Sequence, residues 1–151
     1  MSVVLITGSC GLVGSESSKF FCEKGFDVVG IDNNYRNFFF GSDGDINWMK
    51  KNLIKKYKNY LHFNHNIINR PSVEKIFKKY RKSIKLIIHA AAQPSHDLAS
   101  IIPLIDFKVN ALATLNLLEL TKIYCPDSPF IFMSTNKVYG DAPNHLPLVE
   151  N

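Results

Sequence analysis

The chain has 151 residues, about one domain's worth, and 46% of them are hydrophobic against 21% charged, an ordinary balance for a globular protein. The net charge of +5 comes mostly from the pairs Lys50-Lys51, Lys55-Lys56, Lys78-Lys79 and Arg81-Lys82. These sit in helix-like segments away from the apolar stripe, so they read as solvated helix faces and no nucleic-acid partner is expected. No apolar run approaches the roughly 20 residues of a membrane span, and no basic leader precedes an apolar stretch. Cys10, Cys22 and Cys125 lack metal-ligand spacing and read as three reduced thiols. The expectation is a soluble, cytoplasmic protein with no metal and no membrane partner.

Val3 to Thr7 is a short, continuously apolar, β-branched run, the pattern of a strand buried on both faces. Three glycines follow, and then Leu12, Val13, Phe20 and Phe21 recur at helical spacing, with Glu16, Lys19 and Glu23 opposite. Gly25 stands where a helix C-terminal glycine belongs. Asp27 to Ile31 is a second buried strand, followed by the Asn-, Gly- and Phe-rich stretch NNYRNFFFGSDGD, read as an irregular loop. Ile46, Met49, Leu53 and Tyr57 mark a second amphipathic helix, and Tyr60 to His65 a third strand. Val73, Ile76, Phe77 and Tyr80 form a clean i, i+3, i+4, i+7 face, with Asn69 ahead of it as a cap. Ile84 to His89 is the fourth strand and Pro129 to Ser134 the fifth, with a long helix from about Pro103 to Tyr124 between them. Short apolar strands alternating with helices predict an α/β fold, a doubly wound parallel sheet of five strands.

In that context the turn TGSCGLVGS, with Gly8, Gly11 and Gly14, sits between the first strand and the first helix. The first glycine allows a sharp reversal, the second lets a pyrophosphate approach the backbone, and the third lets helix and strand pack closely. Free N–H groups at the helix start, with the helix dipole, would then face the phosphates. Asp32 ends the second strand, 18 positions past Gly14, where a carboxylate can accept both ribose hydroxyls of an adenosine and repel a 2′-phosphate. NAD is therefore expected in preference to NADP, with Arg36 the nearby residue that argues the other way. Polar and small residues also follow the later strands: Asn66, AAAQPSHD and STNKVYGD.

At these residues the chain resembles the extended short-chain dehydrogenase/reductases, the NAD-dependent nucleotide-sugar epimerase/dehydratase family. The likeness runs in order through TGSCGLVGS, GIDN, the Asn66-Ile67 pair, HAAAQPS, VNALATLNLLE and STNKVYGD. Within the family, GIDNNYRNFFFG, AAQPSHD and FMSTNKVYGD look most like the CDP-paratose 2-epimerases. The resemblance implies an NAD(P)-binding Rossmann fold. It implies that Gly8, Gly11, Leu12 and Val13 line the pyrophosphate, with Gly14 the third glycine of the cofactor-binding turn, that Asp32 and Asn33 line the ribose, and that Asn66 and Ile67 flank the adenine. The family usually has Asp where Asn66 stands. Ala90, Ala91 and Gln93 would approach the nicotinamide ribose, and Asn110, four residues before Thr114, the nicotinamide half. Thr135 occupies the family's catalytic Ser/Thr position, where its hydroxyl would hydrogen-bond the sugar hydroxyl being oxidised. Family dehydratases carry Asp and Glu in the next two positions. Asn136 and Lys137 cannot supply that acid and base, so the implied reaction is epimerisation of a nucleotide-sugar, a CDP-sugar by the closest likeness, through transient oxidation and re-reduction.

The family's chemistry also needs a Tyr followed four residues later by Lys. None of the six tyrosines fits: Tyr35, Tyr57, Tyr60, Tyr80, Tyr124 and Tyr139 are followed by Phe39, Leu61, Asn64, Ile84, Ser128 and Pro143. The expectation is an N-terminal half, residues 1–151 forming the cofactor-binding part, with the substrate domain absent and the chain inactive alone. A non-catalytic dinucleotide-sensing module would lack the same pair. The long helix has two apolar faces, one with Phe107, Ala111, Thr114, Leu115 and Leu118 and the other with Val109, Leu112, Ala113, Leu117, Leu120 and Tyr124. Such a helix is buried on more than one side, and family members commonly dimerise through it, so the full-length form is expected to be a homodimer.

Overall fold

A computed structural model describes residues 2–147. The β-branched runs form strands as their apolar continuity predicts: β1 (Val3–Thr7), β2 (Asp27–Ile31), β3 (Tyr60–Phe63), β4 (Ile84–His89) and β5 (Phe130–Phe132). All neighbours pair parallel in the order β3-β2-β1-β4-β5. Central β1 is wholly buried from end to end, which is why its sequence is apolar without alternation. The chain winds from β1 through β2 to β3 on one side, then crosses to β4 and β5 on the other. The two directions part between β1 and β4, at whose carboxyl ends a crevice must open. β3 and β5 are shorter than the sequence predicts, ending at Phe63 and Phe132.

Helices cover both faces. On one, α4 (Arg70–Tyr80) and α7 (Ala113–Tyr124) bury Val73, Ile76, Phe77, Leu117 and Leu120 against β1, β2 and β4. The predicted cap is present, Ser72 N–H donating to Asn69 Oδ1 at 3.2 Å. On the other face lie α1 (Leu12–Glu23) and α3 (Asn47–Lys56). Leu53 and Tyr57 are buried there, with Ile46 and Met49 packed beside them, as the spacing predicts.

Helix α1 corrects the sequence reading. Of the apolar residues expected to share one face, Phe21 packs against the core, whereas Leu12 is 85% exposed and Val13 and Phe20 are about half exposed. The buried stripe is Gly14, Ser15, Ser18 and Cys22. A Cβ on Gly14 would collide with the Gly8 carbonyl, so the helix lies too close to β1 for large side chains between them. Ser18 tolerates burial because its hydroxyl donates to the Gly14 carbonyl at 2.8 Å.

Three further differences concern loops. NNYRNFFFGSDGD contains a helix, α2 (Tyr35–Phe40), and a 3-10 turn over Gly41–Gly44. A short helix, α5 (His96–Ile101), follows β4, capped by Ser95 accepting from Leu98 N–H. The long helix begins at Pro103 as expected, but α6 (Pro103–Phe107) joins α7 through a π-helical turn at Lys108–Leu112. Of its two predicted faces, Val109, Ala113, Leu117 and Leu120 are buried, while Phe107, Leu115 and Leu118 are exposed. Leu112, grouped with that buried face, is also exposed, because it lies about 100° round the helix from Ala113.

Candidate functional site

A cleft of about 230 Å³ opens at the switch point, framed by residues that follow β1, β2, β3 and β4. The glycine turn forms its floor. Gly8 has φ +65°, and a Cβ on it would stand 2.7 Å from Ala91 N and 2.9 Å from the Ala90 carbonyl carbon. Two strand ends therefore touch backbone to backbone, which only glycine permits. Gly11 differs, since its Cβ would meet only the Gly8 carbonyl oxygen, at 3.4 Å. Gly11 caps α1 with no side chain in the capping role, and no acid stands in the first turn. The first intrahelical bond is from Ser15 N–H to Gly11 O at 2.8 Å. This end of α1 suits an anion in charge and in donors.

Asp32 stands across the turn's mouth, held from both sides. Oδ2 accepts from Cys10 N–H at 3.0 Å and Oδ1 from Asn34 N–H at 2.8 Å. Each carboxylate oxygen keeps a second acceptor position, so the group is oriented without being used up. Asn34 adopts φ 57°, a left-handed conformation that Asn tolerates better than most residues. Its side chain accepts from Ile46 N–H and donates to Asp45, drawing the ends of the 34–46 segment together.

That segment supplies a wall the sequence reading missed. Tyr35, Arg36 and Phe39 line the cleft with Ile46 and His65. Tyr35 packs on Phe38 with centroids 5.0 Å apart and nearly parallel planes, and the Arg36 guanidinium lies over Phe40 at 4.9 Å. The signal was present as the cluster YRNFFF, but nothing local said that its aromatics turn toward Asp32. Asn33, Asn66 and Ile67 line the same cleft. Asn66 Oδ1 accepts from Ile68 N–H at 3.0 Å, closing a tight turn after β3.

Beyond Ala91 and Ala92 lies a second cleft of about 560 Å³, bordered by Gln93, His96, Asn110, Thr114, Ser134 and Thr135. Gln93 and Asn110 hold each other. Gln93 N–H donates to Asn110 Oδ1 at 2.9 Å, and Asn110 Nδ2 donates to the Gln93 carbonyl at 3.0 Å. Asp106 accepts from both side chains. Gln93 is buried, so its side chain braces the loop from within. Thr135 is exposed at the border. The expectations for Asn136 and Lys137 concern side chains outside those described.

The buried ionisable groups beside the cleft are electrically quiet. Burial, then the neighbouring Asp32 carboxylate, pushes the Cys10 thiol up to about 11. Burial likewise raises Tyr60 and lowers His62. His89, at the end of β4, is brought down to about 4 by burial alone. With the thiol, phenol and imidazole neutral, the formally charged side chains lining the cleft are Asp32 and Arg36.

A parallel sheet in this order, with a glycine turn at its centre and a cleft at its switch point, defines a doubly wound α/β domain of the Rossmann type. The chain belongs to the family described as GDP-mannose 4,6 dehydratase, whose sequence model matches residues 5–151. It is similar to the CDP-paratose 2-epimerase of Salmonella typhi, at 33% identity over 142 residues covering 94% of this chain and 39% of that protein. Among solved structures it resembles the UDP-glucose 4-epimerase of Thermus thermophilus in complex with NAD, at 28% identity and a TM-score of 0.63. That match covers 81% of this chain and 34% of the other. The UDP-glucose-4-epimerase of Stenotrophomonas maltophila shares the fold with a TM-score of 0.78 over 98% of this chain and 41% of the other, at 22% identity. The chain spans about two fifths of the length of the curated relatives it matches. The resemblance to nucleotide-sugar epimerases and dehydratases holds at the level of family and fold.

Proposed function

We propose that residues 1–151 are the NAD-binding portion of a nucleotide-sugar epimerase, and that a CDP-sugar is the substrate of the full-length enzyme. The observation that carries the cofactor assignment is the anchored carboxylate of Asp32 beside the glycine turn. A diphosphate fits over Gly11 and the start of α1, where Leu12 and Val13 flank the backbone. A ribose diol fits the acceptor positions left on Asp32, with Asn33 beside it. Adenine then falls against Asn66, Ile67 and the aromatic wall of α2. Ala90 and Ala91 leave room for the second ribose, and Asn110 keeps that loop in place through Gln93. NAD, when bound, supplies a hydride acceptor and donor. The NAD complex of the 28%-identical Thermus thermophilus enzyme supports this reading.

On the substrate side, the Thr135 hydroxyl would hydrogen-bond the sugar hydroxyl undergoing oxidation. A threonine hydroxyl cannot itself remove that proton at neutral pH, so a positioned base must come from elsewhere. General-base help is worth roughly 10²–10⁴ in rate. The chain alone is therefore inactive, and turnover requires a downstream portion bearing a Tyr and a Lys four residues apart. The CDP-sugar assignment rests on the 33% identity to the Salmonella typhi enzyme and on the stretches GIDNNYRNFFFG and FMSTNKVYGD. A homodimer through the exposed face of α6 and α7, and residence in the cytoplasm, complete the proposal. Among the described residues no helix is long and apolar enough to cross a membrane.

Calorimetry of the chain with NAD and NADP tests the cofactor assignment, the expected result being tighter binding of NAD. Equal affinity would overturn the role of Asp32. Joined to a downstream half with the Tyr-Lys pair, the chain should turn over a CDP-sugar, and Thr135→Ala should lower the rate at least tenfold. Turnover of UDP-sugars alone would overturn the substrate assignment and leave the cofactor site standing.

A further inference from the structure

Between the two clefts runs a chain of hydrogen bonds through His89 whose proton order can be worked out. Thr7 is the last residue of β1, next to Gly8, and its Oγ1 accepts from Ala91 N–H at 3.3 Å. The same oxygen lies 2.6 Å from His89 Nδ1. On the opposite side of the ring, His89 Nε2 lies 2.9 Å from Thr114 Oγ1. The Thr114 hydroxyl donates to the Asn110 carbonyl at 2.7 Å. Its one proton is thus spent, and it can only accept from Nε2–H. Nδ1 must then be the bare nitrogen, accepting from the Thr7 hydroxyl. The reverse order would place two oxygens 2.7 Å apart with no proton between them at Thr114, and would leave the buried Thr7 hydroxyl proton without an acceptor.

The chain links structural elements that the clefts depend on. At one end, the Ala90–Ala92 turn is pressed on Gly8, with Ala90 N–H also donating to the Thr7 carbonyl at 3.2 Å. At the other, the π turn at Lys108–Leu112 presents Asn110 to both groups of the Gln93 backbone. His89 is buried beside the rings of Phe130 and Phe132, and its Nδ1 contact with Thr7 is closed to water, while Thr114 borders the second cleft.

We propose that His89 is a positioning residue. As a neutral imidazole carrying its proton on Nε2, it clamps the Ala90–Ala92 turn to the glycine turn and ties both to the π turn, so one proton order sets the walls of the two clefts. The inference concerns the chain's own geometry and does not require that NAD be the ligand.

Side-chain nitrogen NMR of the 151-residue protein at pH 7 tests it directly. The expected spectrum shows His89 as a single tautomer, protonated on Nε2 and bare on Nδ1. A proton on Nδ1, or a fast-exchanging mixture of tautomers, overturns the proposal. Thr114→Val keeps the shape and removes the acceptor. It should scramble the tautomer and speed amide exchange at Ala91 about tenfold, and Thr114→Ser should restore both. A Thr114→Val protein with the tautomer and Ala91 exchange unchanged also overturns it. NAD affinity should fall roughly fivefold in Thr114→Val, the worth of one net hydrogen bond, and recover in Thr114→Ser. If the unmodified chain binds no NAD, the cofactor reading fails while tautomer and exchange still decide this one.

Discussion

The two clefts on either side of Ala91 are built by different means. The first has a main-chain floor, Gly8 against Ala90 and Ala91, Gly11 at the head of α1, and an aspartate pinned by two backbone N–H groups, with the aromatic side chains of α2 as its wall. The second is bordered by side chains on short or exposed elements, α5, the π turn and the end of β5. A floor made of backbone is largely fixed once the sheet forms, because hydrogen bonds from Gly8, Asp32 and Ala90 N–H continue the strand ladder into it. A site made of exposed side chains at the sheet's edge needs further bracing. In the second cleft that bracing comes from Gln93, Asn110 and Asp106 on one side, and Thr135 borders the cleft on the other. The floor of the first cleft should therefore answer to backbone changes, and the second cleft to changes of side chain.

The largest effect that could break this contrast is at the glycines. Gly8→Val would place a branched side chain at φ +65° and inside contact distance of Ala90 and Ala91. Urea unfolding should show a loss of about 3 kcal/mol or more, from overpacking and left-handed strain together. Gly11→Ala, whose added methyl meets only one oxygen at 3.4 Å, should leave stability within about 0.5 kcal/mol and act on NAD affinity alone. Equal destabilisation by the two changes would erase the distinction between a glycine needed by the fold and one needed by the ligand.

Protonation of His89 probes the seam between the clefts. Its folded pKa is near 4, against an ordinary value of 6.5. Between those values the unfolded chain binds a proton that the folded chain refuses, so stability rises with pH in this window. It is complete above about pH 6.5 and is lost progressively toward pH 4, by about 3 kcal/mol. His62, lowered by burial, adds in the same direction. Below that, hydrogen bonds from Tyr57 and Tyr124 hold the carboxyls of Glu23 and Glu74 low, and their protonation continues the loss. His89→Asn should flatten the upper part of a pH-dependent urea series. An unchanged slope between pH 6.5 and 4 would mean that His89 is hydrated, contrary to its place beside Phe130 and Phe132.

How much of this was legible depended on whether the cause was local. β1, β2 and α4 follow from runs and spacings within a dozen residues, because their burial is set by their own patterns. Helix α1 was legible as a helix but not in its orientation. Leu12, Val13 and Phe20 point to solvent because a Gly-Ser stripe, weak on any hydropathy scale, is what close approach to β1 demands, whereas Phe21 packs on the core. The α2 helix, with Gly41 next to it, has little propensity of its own and is held by the Asn34 clip to Asp45 and Ile46. The π turn left no trace in the spacing, since one extra residue in a turn does not change an apolar pattern this rich. At the site, Asp32 and the glycines could be named from sequence, but not the Cys10 N–H that orients the carboxylate, nor the His89 chain. Those depend on which strand ends become neighbours.

The smallest effect concerns the aromatic wall, and it separates two readings of α2. Phe39 is half-buried and lines the first cleft beside Tyr35 and Ile46. It also touches Tyr35 and Phe38, with centroids 4.8 and 5.5 Å away. If the wall only holds the 34–46 segment together, Phe39→Ala should lower stability and leave the affinity of the remaining folded protein for NAD unchanged. If it receives the adenine, affinity should fall about threefold to tenfold, matching the roughly 0.5–1.5 kcal/mol of an aromatic pair, and Phe39→Tyr should recover most of it. ADP-ribose provides the decisive control, since it carries the adenine but not the nicotinamide. Its affinity should fall by the same factor as that of NAD. A loss for NAD without a loss for ADP-ribose would place the effect at the second cleft, and the assignment of α2 to the adenine end would be wrong.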